Sequence, residues 1–153
     1  MRKKANKQVI PFLLVILLGL LLLLWARTVT AEIKKTGRTQ NLYTTTDRVN
    51  CIRQYGWEVD PGGETKRKVV IPNPLDDVYR EYNKLQLPCG FDLSHYVGKG
   101  ATCYTYPVLN FPYKTDERIY VNILVTDNTL IGGDCMSRAL DGFMLPLDRT
   151  LMP

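Results

Sequence analysis

No acidic residue occurs before Glu32, and no charge of either sign occurs between Val9 and Ala26. Histidine is almost absent as well: His95 stands alone in 153 residues, and the four cysteines form no CxxC pair. Each gap removes a class of chemistry. One histidine and scattered cysteines make a weak zinc set, and without CxxC there is no dithiol redox motif. GxSxG, HExxH and phosphate-loop spacing are missing too, so nothing marks a serine hydrolase, a zinc protease or a nucleotide-binding loop. The sequence therefore predicts no catalytic residues, no metal and no cofactor. Outside the apolar run there are no internal repeats and no low-complexity segments.

What is present begins with that run, VIPFLLVILLGLLLLLWA. Eighteen helical residues span about 27 Å, close to the roughly 30 Å hydrocarbon core of a bilayer. Pro11 falls in the first turn, where its missing N–H costs little, and Trp25 lies at the far end, where an indole suits the interface. The run predicts one transmembrane helix over 9–26, in contact with membrane lipid. Arg2, Lys3, Lys4 and Lys7 precede it and only Arg27 closely follows, so the positive-inside rule leaves residues 1–8 as a cytoplasmic stub and puts the rest outside. The rival is a signal peptide cleaved after Ala31, at Val29-Thr30-Ala31, which would release a secreted domain. The run exceeds the usual h-region of about 7 to 15 residues and Arg27 interrupts the approach to the site, which favours a retained, single-pass anchor.

The whole chain has twenty Lys and Arg against fifteen Asp and Glu. Four of the basic residues lie in the stub, so from residue 27 onward sixteen face fifteen, a balance of +1. The excess is mainly topogenic, and with no aromatic-basic motif nucleic acid is not an expected partner. The clusters Lys34, Lys35, Arg38 and Lys66-Arg67-Lys68 read as solvated faces.

Residues 27–43 read as a linker and 44–153 as one extracytoplasmic domain. Thr44 to Asp47 offers N-caps for a helix over 46–55, closed by Gly56. Trp57 to Val59 and Glu64 to Ile71 alternate as one strand interrupted by the turn at Asp60-Pro61-Gly62-Gly63. Asn73-Pro74 opens a helix over 74–86, with Leu75, Val78, Tyr79, Tyr82 and Leu85 as its apolar stripe. Strands follow over 101–108, 118–126 and 129–133, the last two joined by a hairpin turn at Asp127-Asn128. The glycine-rich places, Gly98 to Gly100 and Ile131 to Asp134, read as turns. The result is an α+β fold, two helices on one face of a mostly antiparallel sheet of three to four strands.

The stretches GWEVDP (56–61), VYREYNKLQ (78–86), GFDLSHYVGK (90–99), CYTYPVLNFP (103–112) and IGGDCMSRALDGFM (131–144) resemble an uncharacterised Firmicutes family, a domain of unknown function numbered four-eight-three-zero. The similarity runs in order through about residues 47 to 146. It implies membrane-anchored members with one N-terminal hydrophobic segment, and it carries no activity.

Cys51, Cys89, Cys103 and Cys135 lie in a region predicted to be extracytoplasmic, where disulfides persist; four cysteines allow three connectivities, and buried apolar thiols are the other reading. His95 with Cys103 or Cys89, oriented by Asp92, is the one nucleophile-base arrangement available, so a secreted or anchored Cys/His hydrolase is the alternative function. The favoured one is a non-enzymatic binding or envelope-interaction module. Trp57, Asp92, His95, Tyr104 and Tyr106 are the candidate surface, for stacking on a glycan or an envelope protein.

Overall fold

Five antiparallel strands follow one another in chain order across a single sheet: β1 (Thr65–Val70), β2 (Gly100–Pro107), β3 (Ile119–Thr126), β4 (Thr129–Ser137) and β5 (Met144–Pro146). The structure is a computed structural model and describes residues 14–27 and 40–152, which fall into two units, Met1–Gly37 and Arg38–Pro153.

In the first unit, residues 14–27 form helix α1, whose large apolar side chains from Leu14 to Trp25 are 48–69% exposed. Residues 9–13 of the expected span, and the stub, lie outside the described residues. Among the described residues no helix is long and apolar enough to cross a membrane.

The second unit begins before the expected boundary at residue 44. Of the linker, 28–39 lies outside the described residues, but Leu42 is 3% exposed and its N–H donates to the Asn128 carbonyl at 2.9 Å. Helix α2 (Thr45–Arg53) starts on a reciprocal cap: the Asp47 N–H donates to the Thr44 hydroxyl at 3.1 Å and the Thr44 N–H to the Asp47 carboxylate at 2.8 Å. Gly56, at φ 90°, makes the left-handed turn that ends this segment. The strand expected at Trp57 to Val59 contracts to a single bridge, Val59 with Val108.

Helix α3 (Asp77–Gln86) starts three residues later than Asn73-Pro74 suggested, because the cap is the Asp76 carboxylate, which accepts from the Tyr79 N–H at 2.8 Å. The Asn73–Pro74 peptide bond is cis and lies in the preceding loop. Asp127 and Asn128 take positive φ, 48° and 56°, and turn β3 into β4 as expected.

Successive strand residues point to opposite faces, and both faces are covered. Val121, Ile123 and Val125 pack with Val49 and Ile52 of α2, whereas Leu124 packs in a second cluster with Tyr79 and Tyr82 of α3. The helices therefore lie on opposite faces, not on one. Three central strands carrying two apolar faces explain why nearly all of β3 is buried. The sheet also has one strand more than the upper expectation. β5 was missed because three residues ending in proline carry no periodic signal, and β1 is a nearly fully exposed edge.

Gly132 and Gly133 lie inside β4, not in a turn. The register shifts beside them, with Leu124 opposite Gly132 and Val125 opposite Leu130. The Gly133 N–H donates to the Gln86 side-chain oxygen at 2.8 Å, and a Cβ on Gly132 would lie 2.9 Å from that oxygen. Glycine here lets the end of α3 close onto the strand.

Candidate functional site

The residues proposed from sequence do not assemble into one surface. Trp57 is 1% exposed and donates its indole N–H to the Leu147 carbonyl at 2.7 Å. Tyr106 is fully buried, its hydroxyl bonded to Glu64, and Tyr104 is half-buried with the Arg48 guanidinium 4.0 Å from its ring centre. Arg48 also pairs with Glu64 at 2.9 Å, so these aromatics belong to a network that ties α2 to β2 and to the residue just before β1.

Asp92 and His95 lie elsewhere, Asp92 as the N-cap of the 3-10 turn Leu93–Tyr96 and His95 within it. Asp92 accepts from the Ser94 N–H and from the Asn83 side chain, each at 2.9 Å, and these bonds, Ser94 first, hold its carboxyl at about 2. The His95 side chain is 77% exposed, with Nε2 4.0 Å from Asp92.

The four cysteines are buried thiols. Burial pushes Cys51 and Cys135 up to about 12, and it also raises Cys103, against the lowering charge of Arg67. Among the described residues there is no cluster of three metal-ligating side chains.

A concave feature of the domain lies on the other face, between α3 and the sheet. It is a groove of about 490 Å³, inside the roughly 300 to 1,000 Å³ range of small-molecule sites. Val78, Tyr79, Tyr82 and Leu85 form its helical wall, and Cys103, Asn122, Leu124 and Asp134 its floor. Arg67 from β1 and Met144 from β5 stand at its two edges. Val78 sits on the expected apolar stripe yet is 75% exposed. The stripe is only partly used for packing, and the remainder lines the groove.

A polar row crosses the floor. Thr105, Asn122 and Asp134 are direct cross-strand partners on β2, β3 and β4. The Thr105 hydroxyl donates to Asn122 Oδ1 at 2.6 Å, and Asn122 Nδ2 donates to Asp134 Oδ1 at 2.8 Å. From above, the Tyr82 hydroxyl donates to Asp134 Oδ2 at 2.8 Å. Burial at 3% exposure raises the Asp134 carboxyl to about 6, opposed by the bonds from Tyr82 and Asn122 and by the charge of Arg67. Tyr82 rises far above the ordinary phenol range, through its own burial and the neighbouring carboxylate. The arrangement presents hydrogen-bonding groups and one buried acid at the base of an otherwise mostly apolar cleft.

None of Arg67, Tyr82, Asn122 and Asp134 was singled out as a site residue from sequence. The usable signal was polar residues on one face of otherwise apolar strands, which appears only once the strand after Asn128 is carried past Gly133 to Asp134.

No curated protein and no solved structure matches the chain. A family profile, described as a domain of unknown function, matches residues 51–135, from Cys51 in α2 through Cys135 in β4, and so takes in α3 and most of the groove. The chain belongs to the DUF4830 family.

Proposed function

We propose that this protein is a non-enzymatic binding module, held at the outer face of the cell membrane by residues 9–26 and taking a small ligand of the envelope in the groove beneath α3. The anchor rests on the charge-free run, its basic N-terminal flank, and the exposure of apolar side chains all round α1, which lipid accepts and water does not. The observation that carries the binding reading is the groove itself, concave and mostly apolar, with convergent polar groups at its base. The Cys/His alternative has less support: His95 is exposed on a turn, while every thiol is buried and those of Cys51, Cys103 and Cys135 are shifted away from the thiolate.

The test is a 15N NMR titration of the full-length chain in detergent micelles with a library of small fragments. Binders are expected to shift the amides of Val78, Leu124 and Met136 together. Val78→Trp, on the exposed wall, fills the cleft; it should abolish those shifts while leaving the thermal midpoint within a few degrees. Shifts scattered over the surface, or unchanged in the variant, would remove the groove as the binding site.

A further inference from the structure

Arg67, at the β1 edge, and Asp134, in the floor, face the same groove. Arg67 lies opposite Cys103, Cys103 opposite Leu124 and Leu124 opposite Gly132, so three inter-strand steps, about 14 Å, and two residues along β4, about 7 Å, separate the Arg67 and Asp134 backbones. Both side chains nonetheless line the one cleft. Between them the floor consists of uncharged groups, Cys103, Asn122 and Leu124.

Each oxygen of Asp134 accepts one bond, from Tyr82 or Asn122, and neither donor is charged. A carboxylate has about four acceptor positions, so each oxygen keeps room for another donor. Among the described residues no cation stands within ion-pair distance of Asp134. The other acid on the groove, Glu81, already holds Lys84 at 2.7 Å. A buried carboxylate is stabilised by a cation in direct contact, and among the described residues Asp134 has none at that distance. A guanidinium across the floor suits a carboxylate as a two-pronged donor. The walls that complete the cleft are Val78, Leu85, Met136 and Met144, and methionine adapts to branched apolar shapes.

Building on the groove as a binding site, we infer that its ligand is a small zwitterion with an apolar side chain, an amino acid or dipeptide of the leucine type, its ammonium on Asp134 and its carboxylate on Arg67. Both charges of the ligand are then matched, and its side chain lies against the methionines and α3.

Isothermal titration calorimetry of the full-length chain in micelles tests this with four probes: L-leucine, leucyl-leucine, N-acetyl-leucine, which lacks the cation, and leucinamide, which lacks the carboxylate. At least one zwitterion should bind, with each single-charge analogue at least tenfold weaker. Arg67→Gln should bring leucine down to the affinity of leucinamide without weakening leucinamide. Asp134→Asn should bring leucine down to the affinity of N-acetyl-leucine without weakening the latter. Thermal melts establish that both variants are folded, and whichever zwitterion binds more tightly fixes whether one residue or two are taken. Equal binding of all four probes, or zwitterion binding indifferent to both substitutions, would overturn the inference and leave the groove as an apolar site. Silence of all four while fragments still shift the groove amides would also overturn it alone; silence in both experiments removes the binding reading as well.

Discussion

Asp134 has a consequence independent of any ligand. Its carboxyl is held near 6 when folded, against an ordinary 3.8, so the folded chain binds that proton more tightly than the unfolded one. Its contribution to stability is complete below pH 4 and is lost as the pH climbs from about 4 to 6. A rise from 3.8 to about 6 corresponds to on the order of 3 kcal/mol. Asp134→Asn keeps the shape and stays neutral, with its amide oxygen available to Asn122 and the Tyr82 hydroxyl free to rotate. At pH 7.5 the variant should be more stable than the native chain by about 2 kcal/mol, and its urea midpoint should no longer fall between pH 4 and 6. A native chain whose midpoint is flat over that range would contradict the burial assigned to this carboxyl. Little of this was legible in advance. Glycines at 132 and 133 read as a turn and hide the acid that follows them, and Lys66-Arg67-Lys68 reads as a solvated face because charge runs usually are one. Trp57 and Tyr106 went the other way: residue type alone cannot say whether an aromatic ring is offered to a partner or consumed by the core, and here the core took both.

At the scale of elements the sequence was more informative. Caps, turn residues and period-two alternation located both helices of the domain and β1 to β4 to within a few residues, because those signals are local. What escaped was tertiary. Nothing in the stripe of α3 says which face of the sheet it covers, and nothing in Gly132-Gly133 says that the chain passes straight on beneath Gln86 rather than turning. The structure makes these glycines sharply unequal to others. A Cβ on Gly133 would lie 2.6 Å from the Asn122 carbonyl oxygen and 2.9 Å from a Leu147 methyl, whereas one on Gly100 meets nothing within 4 Å. Backbone at the centre of a sheet does not yield readily, so Gly133→Ala should destabilise by about 2 kcal/mol or more, seen as a lower urea midpoint at unchanged m-value. Gly100→Ala should stay within about 0.5 kcal/mol. Equal effects of the two substitutions would mean that the packing of β4 against the Asn122 carbonyl and Leu147 is looser than described.

At the scale of the whole molecule, the testable question is whether the N-terminal run is retained. With the anchor in place, the full-length chain stays in the membrane pellet after alkaline carbonate extraction, and protease added to intact spheroplasts removes the domain. Recovery from the medium of a chain beginning at Glu32 would replace the anchor with a cleaved signal. An anchor would confine copies to a plane, where open sheet edges become hazardous because each is a template for the next chain. Here both edges are blunted. β1, the exposed one, carries Lys66, Arg67 and Lys68 in succession, so cations project from both of its faces, and β5 offers only three residues ending in Pro146. Two copies meeting edge to edge along β1 would bring like charges together, so the domains can crowd without polymerising into a continuous sheet.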